Sequence, residues 1–277
     1  MLPRGDCDVA LSRGALREGV AALEAFGDLL GSRRVGPRAL DRAKSDTSEA
    51  CQALLQALDP FEQTLLVSLG QTPNLTATMQ ALGERLRAHV GPMAEALRDT
   101  APISARRRLA LEAVFRKHRS GFKDCVALCD LAVAAVTAMP LDLEVIELFD
   151  SLSGDRFGDV SLVQIGIDIV RPVVMRADRH VLMGLVEAAV SFVGRSGTTT
   201  ARLVAGTNDD GATVIRVGPA PRGWTLPKRT VSMPLRGEVE LAMDVARAVA
   251  LRSDLGVSFD AATNSASIVA NTRVGPC

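Results

Sequence analysis

The chain has 277 residues, 47% of them hydrophobic and only 3% aromatic, and its 32 basic residues are balanced by 32 acidic ones. This length and apolar content can bury one large core or two smaller ones and exclude a chain that stays disordered. The cancelled charge excludes a global field that would draw the protein to nucleic acid or an anionic membrane, so any charged partner must be recognised locally.

The first part reads as helix after helix. Helical spacing of apolar residues predicts helices over 11–30 and 37–58, the second opening at Pro37 and stopping before Pro60, and a short helix over 60–69. Thr72 or Asn74 is placed to cap a helix reaching about Arg98, and Ser104 to cap another reaching Ala138. The connection DTAPIS is short enough to force these two into an antiparallel hairpin. Its second arm is apolar over most of its circumference at 125–139, which predicts cover from neighbouring helices or from a second copy. That run is too short to span a bilayer, contains Asp130 and ends at Pro140. The opening MLPRGDCDVALSRG has no signal-peptide core, so a cytoplasmic protein without a membrane contact is expected. The five cysteines form no CxxC pair; Cys125 and Cys129, four apart on one helical face, read as small buried thiols, and neither metal nor cofactor is expected.

After Gly154 the pattern changes. DVSLVQIGIDIV (159–170) reads as a short strand leading into a helix, PVVM (172–175) as a strand, and 178–193 as a one-faced helix with Leu182, Leu185, Val186, Ala189 and Val193 in its stripe. Alternation predicts strands over 198–206 and 213–218, joined by the turn-rich NDDGA. A loop follows over 219–237, then a helix over 238–252 and a hairpin turning at Asn264-Ser265. The whole reads as an α+β protein: a helical region 1–72, a helical hairpin 73–153, and an α/β sandwich 154–277 with helices on one face of a mixed sheet.

This order, with its long loop before the last helix and a helical hairpin in front, resembles the core of two-component sensor histidine kinases, whose ATP-binding domain shares the Bergerat fold of gyrase-type ATPases. FDSLSGDRFGDVSLVQIG (149–166) resembles the junction between hairpin and first strand. MRADRHVLMGLVEAAVSFV resembles the segment in which an aspartate precedes a helix of the form NLxxNAxxF, with Ala189 and Phe192 at the packing positions. The resemblance places nucleotide and magnesium on residues this chain lacks. Gly184 and Ala188 stand where the family's helix carries asparagines, Gly218 where an aspartate accepts from adenine, and Glu238 and Glu240 where glycines cradle phosphate. It therefore implies a scaffold whose ATP site has degenerated. Asparagine at 184 and 188 is expected to cost only ~0.5–0.7 kcal/mol of helix propensity and to restore no activity.

The resemblance also implies a phosphoacceptor histidine on the first hairpin arm. His89 lies on that arm, followed by Val90 and with a proline three residues on; His118 lies on the second arm with basic neighbours; His180 lies in the ATPase-like helix. His89 is the first candidate and His118 the alternative. The run containing Arg106, Arg107, Arg108, Arg116, Lys117, Arg119 and Lys123 is a candidate surface for an acidic receiver pocket or a nucleic-acid backbone. One tryptophan and no tyrosine argue against binding single strands by stacking.

The expected function is a non-catalytic adaptor or histidine phosphotransferase-like protein of a phosphorelay, a homodimer through the hairpin that binds a response-regulator receiver or a kinase. Two alternatives stand beside it. One is a divergent but active ATPase or histidine kinase in which Asp178, Glu187 or Glu240 takes over magnesium, and the other a regulator that binds nucleic acid through 106–123.

Overall fold

Four long helices open the chain: α1 (Arg4–Gly31), α2 (Pro37–Leu69), α3 (Pro73–Arg98) and α4 (Ala105–Val136). The computed structural model describes residues 4–32, 34–69, 73–99, 101–150, 162–169 and 171–270, so the expected cap Thr72 lies outside them. Pro37 takes a first-turn position, where a missing N–H costs no helical bond. Ser104 caps α4, its Oγ accepting from the Arg107 amide at 3.3 Å.

The expected break at Pro60 does not occur. Pro60 is exposed, while Leu54, Leu58, Phe61 and Leu65 are buried, so α2 runs through it as one helix. Packing on the inner side outweighs the backbone bond that proline removes.

The chain divides into two compact units, 1–130 and 131–277. The core of the first joins all four helices through Leu23, Phe26 and Leu30, Leu54 and Leu58, Met79, Leu82 and Val90, and Phe115, Phe122 and Leu128. Phe26 of α1 meets Phe115 of α4 edge-on, with ring centroids 5.3 Å apart. On α2 and α3, Arg87 pairs with Asp59 and Glu62, and Gly83 leaves the room: a Cβ there would lie 2.6 Å from the Glu62 carboxylate.

The second unit is α+β. After the end of α4 come β1 (Leu141–Glu144), α5 (Val145–Asp150), β2 (Leu162–Asp168), β3 (Val174–Ala177) and α6 (Arg179–Gly194). β4 (Thr200–Thr207), β5 (Thr213–Pro219), β6 (Thr230–Pro234), α7 (Val239–Arg252), β7 (Leu255–Asp260) and β8 (Ser265–Ala270) complete it. β1 and β3 form an antiparallel ribbon with Leu141 opposite Ala177. The other six strands make a mixed sheet in the order β6-β2-β4-β5-β8-β7, in which only the β2–β4 pair is parallel. Alternation decides the faces: Val163, Ile165, Ile167, Leu203, Ile215, Val217 and Ile268 are buried toward α6 and α7. On the opposite face Gly166 admits Trp224 and Pro227 of the following loop; a Cβ there would sit 2.2 Å from the indole.

Three expectations for this half need correction. No helix separates β2 from β3; the run 162–168 is one strand, and 159–161 lie outside the described residues. The stretch 219–237, expected to be loop throughout, contains β6, which zips antiparallel to the edge of β2 with Val163 opposite Met233. Residues 141–150, which the sequence grouped with the hairpin, form β1 and α5 within the second unit. The turns follow their residues: Gly211 takes φ 79° in the β4–β5 connection, where the Asn208 side chain accepts from the Ala212 amide, and Asn264 takes φ 50° in the last hairpin.

Candidate functional site

The two candidate histidines meet. His89 on α3 and His118 on α4 stack edge to face, ring centroids 5.7 Å apart and planes at 64°. Both are half-buried. Gly121, one turn beyond His118, makes the contact possible: a Cβ there would lie 2.3 Å from two atoms of the His89 ring. Burial, then the neighbouring His89 and then Lys117 push the His118 pKa below its ordinary value. A neutral imidazole keeps a nitrogen lone pair available to an electrophile or a metal. Sequence reasoning treated the pair as rivals because nothing in the spacing shows which faces of two separate helices oppose each other; the glycine three residues after His118 was the available sign.

The basic run on α4 divides between contacts within the bundle and solvent, with Arg107, Arg108 and Arg119 half-buried and Arg106, Arg116, Lys117 and Lys123 exposed. Arg108 reaches the end of α1, donating to the carbonyls of Leu29, Leu30 and Ser32, groups a helix terminus leaves without partners. Arg119 pairs with Asp28 at 2.8 Å and Lys123 with Glu24 at 2.7 Å, both on α1. Arg116 pairs with Glu112 one turn back at 2.5 Å, and Arg107 with Asp99 at 3.0 Å. Of the basic residues in this run, Arg106 and Lys117 are exposed without an ion-pair partner among the described residues. Three of these residues, Arg108, Arg119 and Lys123, thus fasten α4 to α1 or its end.

In the second unit the positions that the resemblance assigned to nucleotide are filled by the protein itself. Asp178 caps α6, its Oδ1 accepting from the amides of His180 at 2.9 Å and Val181 at 3.2 Å. Gly184 lies under Leu131, where a Cβ would come within 2.6 Å of a leucine methyl, and Ala188 is fully buried. One turn on, Glu187 is clasped by the Arg236 guanidinium, whose side chain is 9% exposed. Ser191 Oγ accepts from the Arg236 amide at 3.1 Å. The Leu235 side chain occupies the space a Cβ at Gly194 would need. Glu240 of α7 pairs with Arg195 at 3.1 Å, and the Arg195 guanidinium stacks 4.0 Å over Phe192. Glu238 sits at the cap of α7, its carbonyl accepting from the Ala242 amide at 2.9 Å. Gly218 lies in β5 opposite Arg202, which itself pairs with Asp168 at 2.5 Å.

The segment 235–240 is thereby held along one face of α6. Sequence reasoning singled out Glu187 and Glu240 only as possible magnesium ligands and missed Ser191, Gly194, Leu235 and Arg236. The spacing of Glu187, Ser191 and Gly194, four and then three residues apart, was the readable signal that one helical face carries a common contact. Cys125 and Cys129 are buried as expected, and Cys51 is buried as well, its thiol pKa pushed up to about 12 by burial. Among the described residues no group of three or more His, Cys, Asp or Glu converges as for a metal, and no helix is long and apolar enough to cross a membrane.

No protein-family model matches the chain, and no curated protein matches it. Among solved structures it is similar to the Acinetobacter baumannii histidine kinase AdeS, with 9% identity and a TM-score of 0.35 over 72% of this chain and 96% of that one. At this level of overlap the comparison assigns neither activity nor partner to the chain.

Proposed function

We propose that the chain is a non-catalytic signalling protein of the two-component type, an adaptor or histidine phosphotransferase that binds a response-regulator receiver or a kinase. One observation carries this reading: the face of α6 that would hold nucleotide and magnesium in a kinase is occupied by Leu131, Leu235 and Arg236 of the chain itself. The same observation counts against the active-ATPase alternative. Of its candidate magnesium ligands, Glu187 and Glu240 are already paired with arginines, and Asp178 accepts from the amides of Met139, His180 and Val181. The nucleic-acid alternative is weakened because Arg108, Arg119 and Lys123 of its cationic run are engaged by α1 or its end.

The histidine pair favours the phosphotransfer form over a purely binding adaptor. A receiver brings its own aspartyl phosphate and magnesium, so the chain need supply only a neutral imidazole nitrogen, which attacks phosphorus as the aspartate leaves. Within the pair, the lowered pKa of His118 moves the preference from His89 toward His118. Magnesium-ATP is expected to leave the thermal midpoint unchanged, and a dose-dependent rise would overturn the reading. Incubation with a phosphorylated receiver is expected to label His118 or His89; label that survives the double change His89→Ala and His118→Ala would exclude both.

A further inference from the structure

We propose that His89 and His118 form a two-imidazole chelate for a first-row transition-metal dication, with Zn2+ as the probe and water completing the coordination. The rings project from two different helices of one unit, meet edge to face, and are each half-buried.

The separation fits a shared ion. A zinc-bound imidazole nitrogen stands about 2.0–2.1 Å from the metal, and the ring adds about 1.1 Å, so each ring centroid lies about 3.2 Å from it. Two such spokes, at angles between tetrahedral and trigonal, put the centroids about 5.2–5.5 Å apart. The observed spacing is 5.7 Å with the planes at 64°, so the helices stand at a workable separation and rotation of the imidazoles about their side-chain bonds has to turn one nitrogen of each toward the ion. Gly121 holds the room open on the α4 side, where any side chain would push the His89 ring away.

A second observation points to a ligand. The Nδ1 atom of His118 is buried with no hydrogen-bond partner among the described residues. Such a nitrogen has given up water without replacement, and a metal–nitrogen bond within the pair would repair that deficit. Imidazole pairs select copper, nickel and zinc over magnesium and calcium, which require oxygen ligands. With only two protein ligands the site is open and exchangeable, unlike a structural zinc centre.

Metal binding stands beside the phosphotransfer reading and does not need it. Where both hold, they exclude each other, since a nitrogen lone pair given to the metal is no longer available to phosphorus. Bound zinc would then act as an inhibitor of labelling.

The test uses the full chain after chelator treatment. Cobalt chloride is expected to give one equivalent of bound ion with visible d–d absorption, displaced by zinc chloride, and zinc is expected to raise the thermal midpoint by tying α3 to α4. His89→Gln and His118→Gln should each weaken binding about tenfold or more, whereas His180→Gln, on α6, should leave it unchanged. Unmutated protein gives a second readout: zinc should protect residues 89 and 118, but not 180, from diethylpyrocarbonate, read by peptide mass. Absence of cobalt absorption at millimolar ion, binding that survives both substitutions, or equal modification with and without zinc would each overturn the site. Zinc binding without receiver-dependent label would refute only the phosphotransfer reading, and label without zinc binding only the chelate.

Discussion

At the scale of single residues, the molecule rests on a few places where the absence of a side chain matters. Gly121→Ala puts a methyl into the His89 ring, so we expect a loss of about 1–3 kcal/mol in urea unfolding. In a His89→Ala background the same change should be nearly neutral, because the ring it strikes is gone; an undiminished cost there would show that the glycine serves the helix and not the pair. Asp260 carries the clearest acid-side signature. The Thr263 hydroxyl and then the Ala262 amide bond its carboxylate and lower its pKa from 3.8. A group with a depressed folded pKa stabilises above its unfolded pKa, and that contribution disappears as pH falls through the folded value. Thr263→Ala should therefore flatten the stability profile below about pH 4, and an unchanged profile would show that the hydroxyl contributes nothing.

At the scale of elements, α6 shows how a helix predicted from its apolar stripe can still be misjudged at its margins. Its ends and its stripe were legible in 177–197, because they depend on local spacing, while the capping role of Asp178 came only with the structure. The cost of changing Gly184 was not legible either, because it depends on Leu131, more than fifty residues earlier. Propensity alone allows asparagine there at ~0.5–0.7 kcal/mol, yet the leucine methyl leaves no room for even a Cβ. Gly184→Asn is now expected to lose about 2 kcal/mol or more, partly recovered by Leu131→Ala in the same chain, as read by denaturant midpoints. The same division explains β6 and α2. β6 is short, alternating only over Thr230 to Met233 within a proline-rich stretch, and its pairing with β2 fixes it as a strand. Pro60 is a strong local stop signal that burial of the opposite face overrules. The helical half and the run from α6 onward, β6 apart, were thus readable, whereas β1, α5 and β6 and side chains that meet across elements, such as Glu187 with Arg236 and His89 with His118, were not.

At the scale of the whole molecule, the first two helices answer the question left by the hairpin. Its apolar second arm was expected to need a second copy, yet Phe115, Phe122, Cys125 and Leu128 are buried within one chain, with Phe26 of α1 against Phe115. Ion pairs from Arg119 and Lys123 to α1 seal the same seam. The motive for a homodimer is thereby removed, and light scattering at micromolar concentration is expected to give the 29.3 kDa mass of one chain. A doubled mass would restore the dimer and require an interface outside this core.

The clasp of Arg236 on Glu187 changes what the cell can do to this domain. A fold whose acidic helix face is neutralised by a diffusible cation gains stability as that cation's concentration rises, by mass action. Here the neutralising charge is tethered covalently some fifty residues along the same chain, so its local concentration is fixed by the backbone and cannot be diluted. Chelators, nucleotide depletion and changes in free magnesium have no handle on it. This contact of the sandwich is therefore expected to hold one state as free magnesium and nucleotide vary.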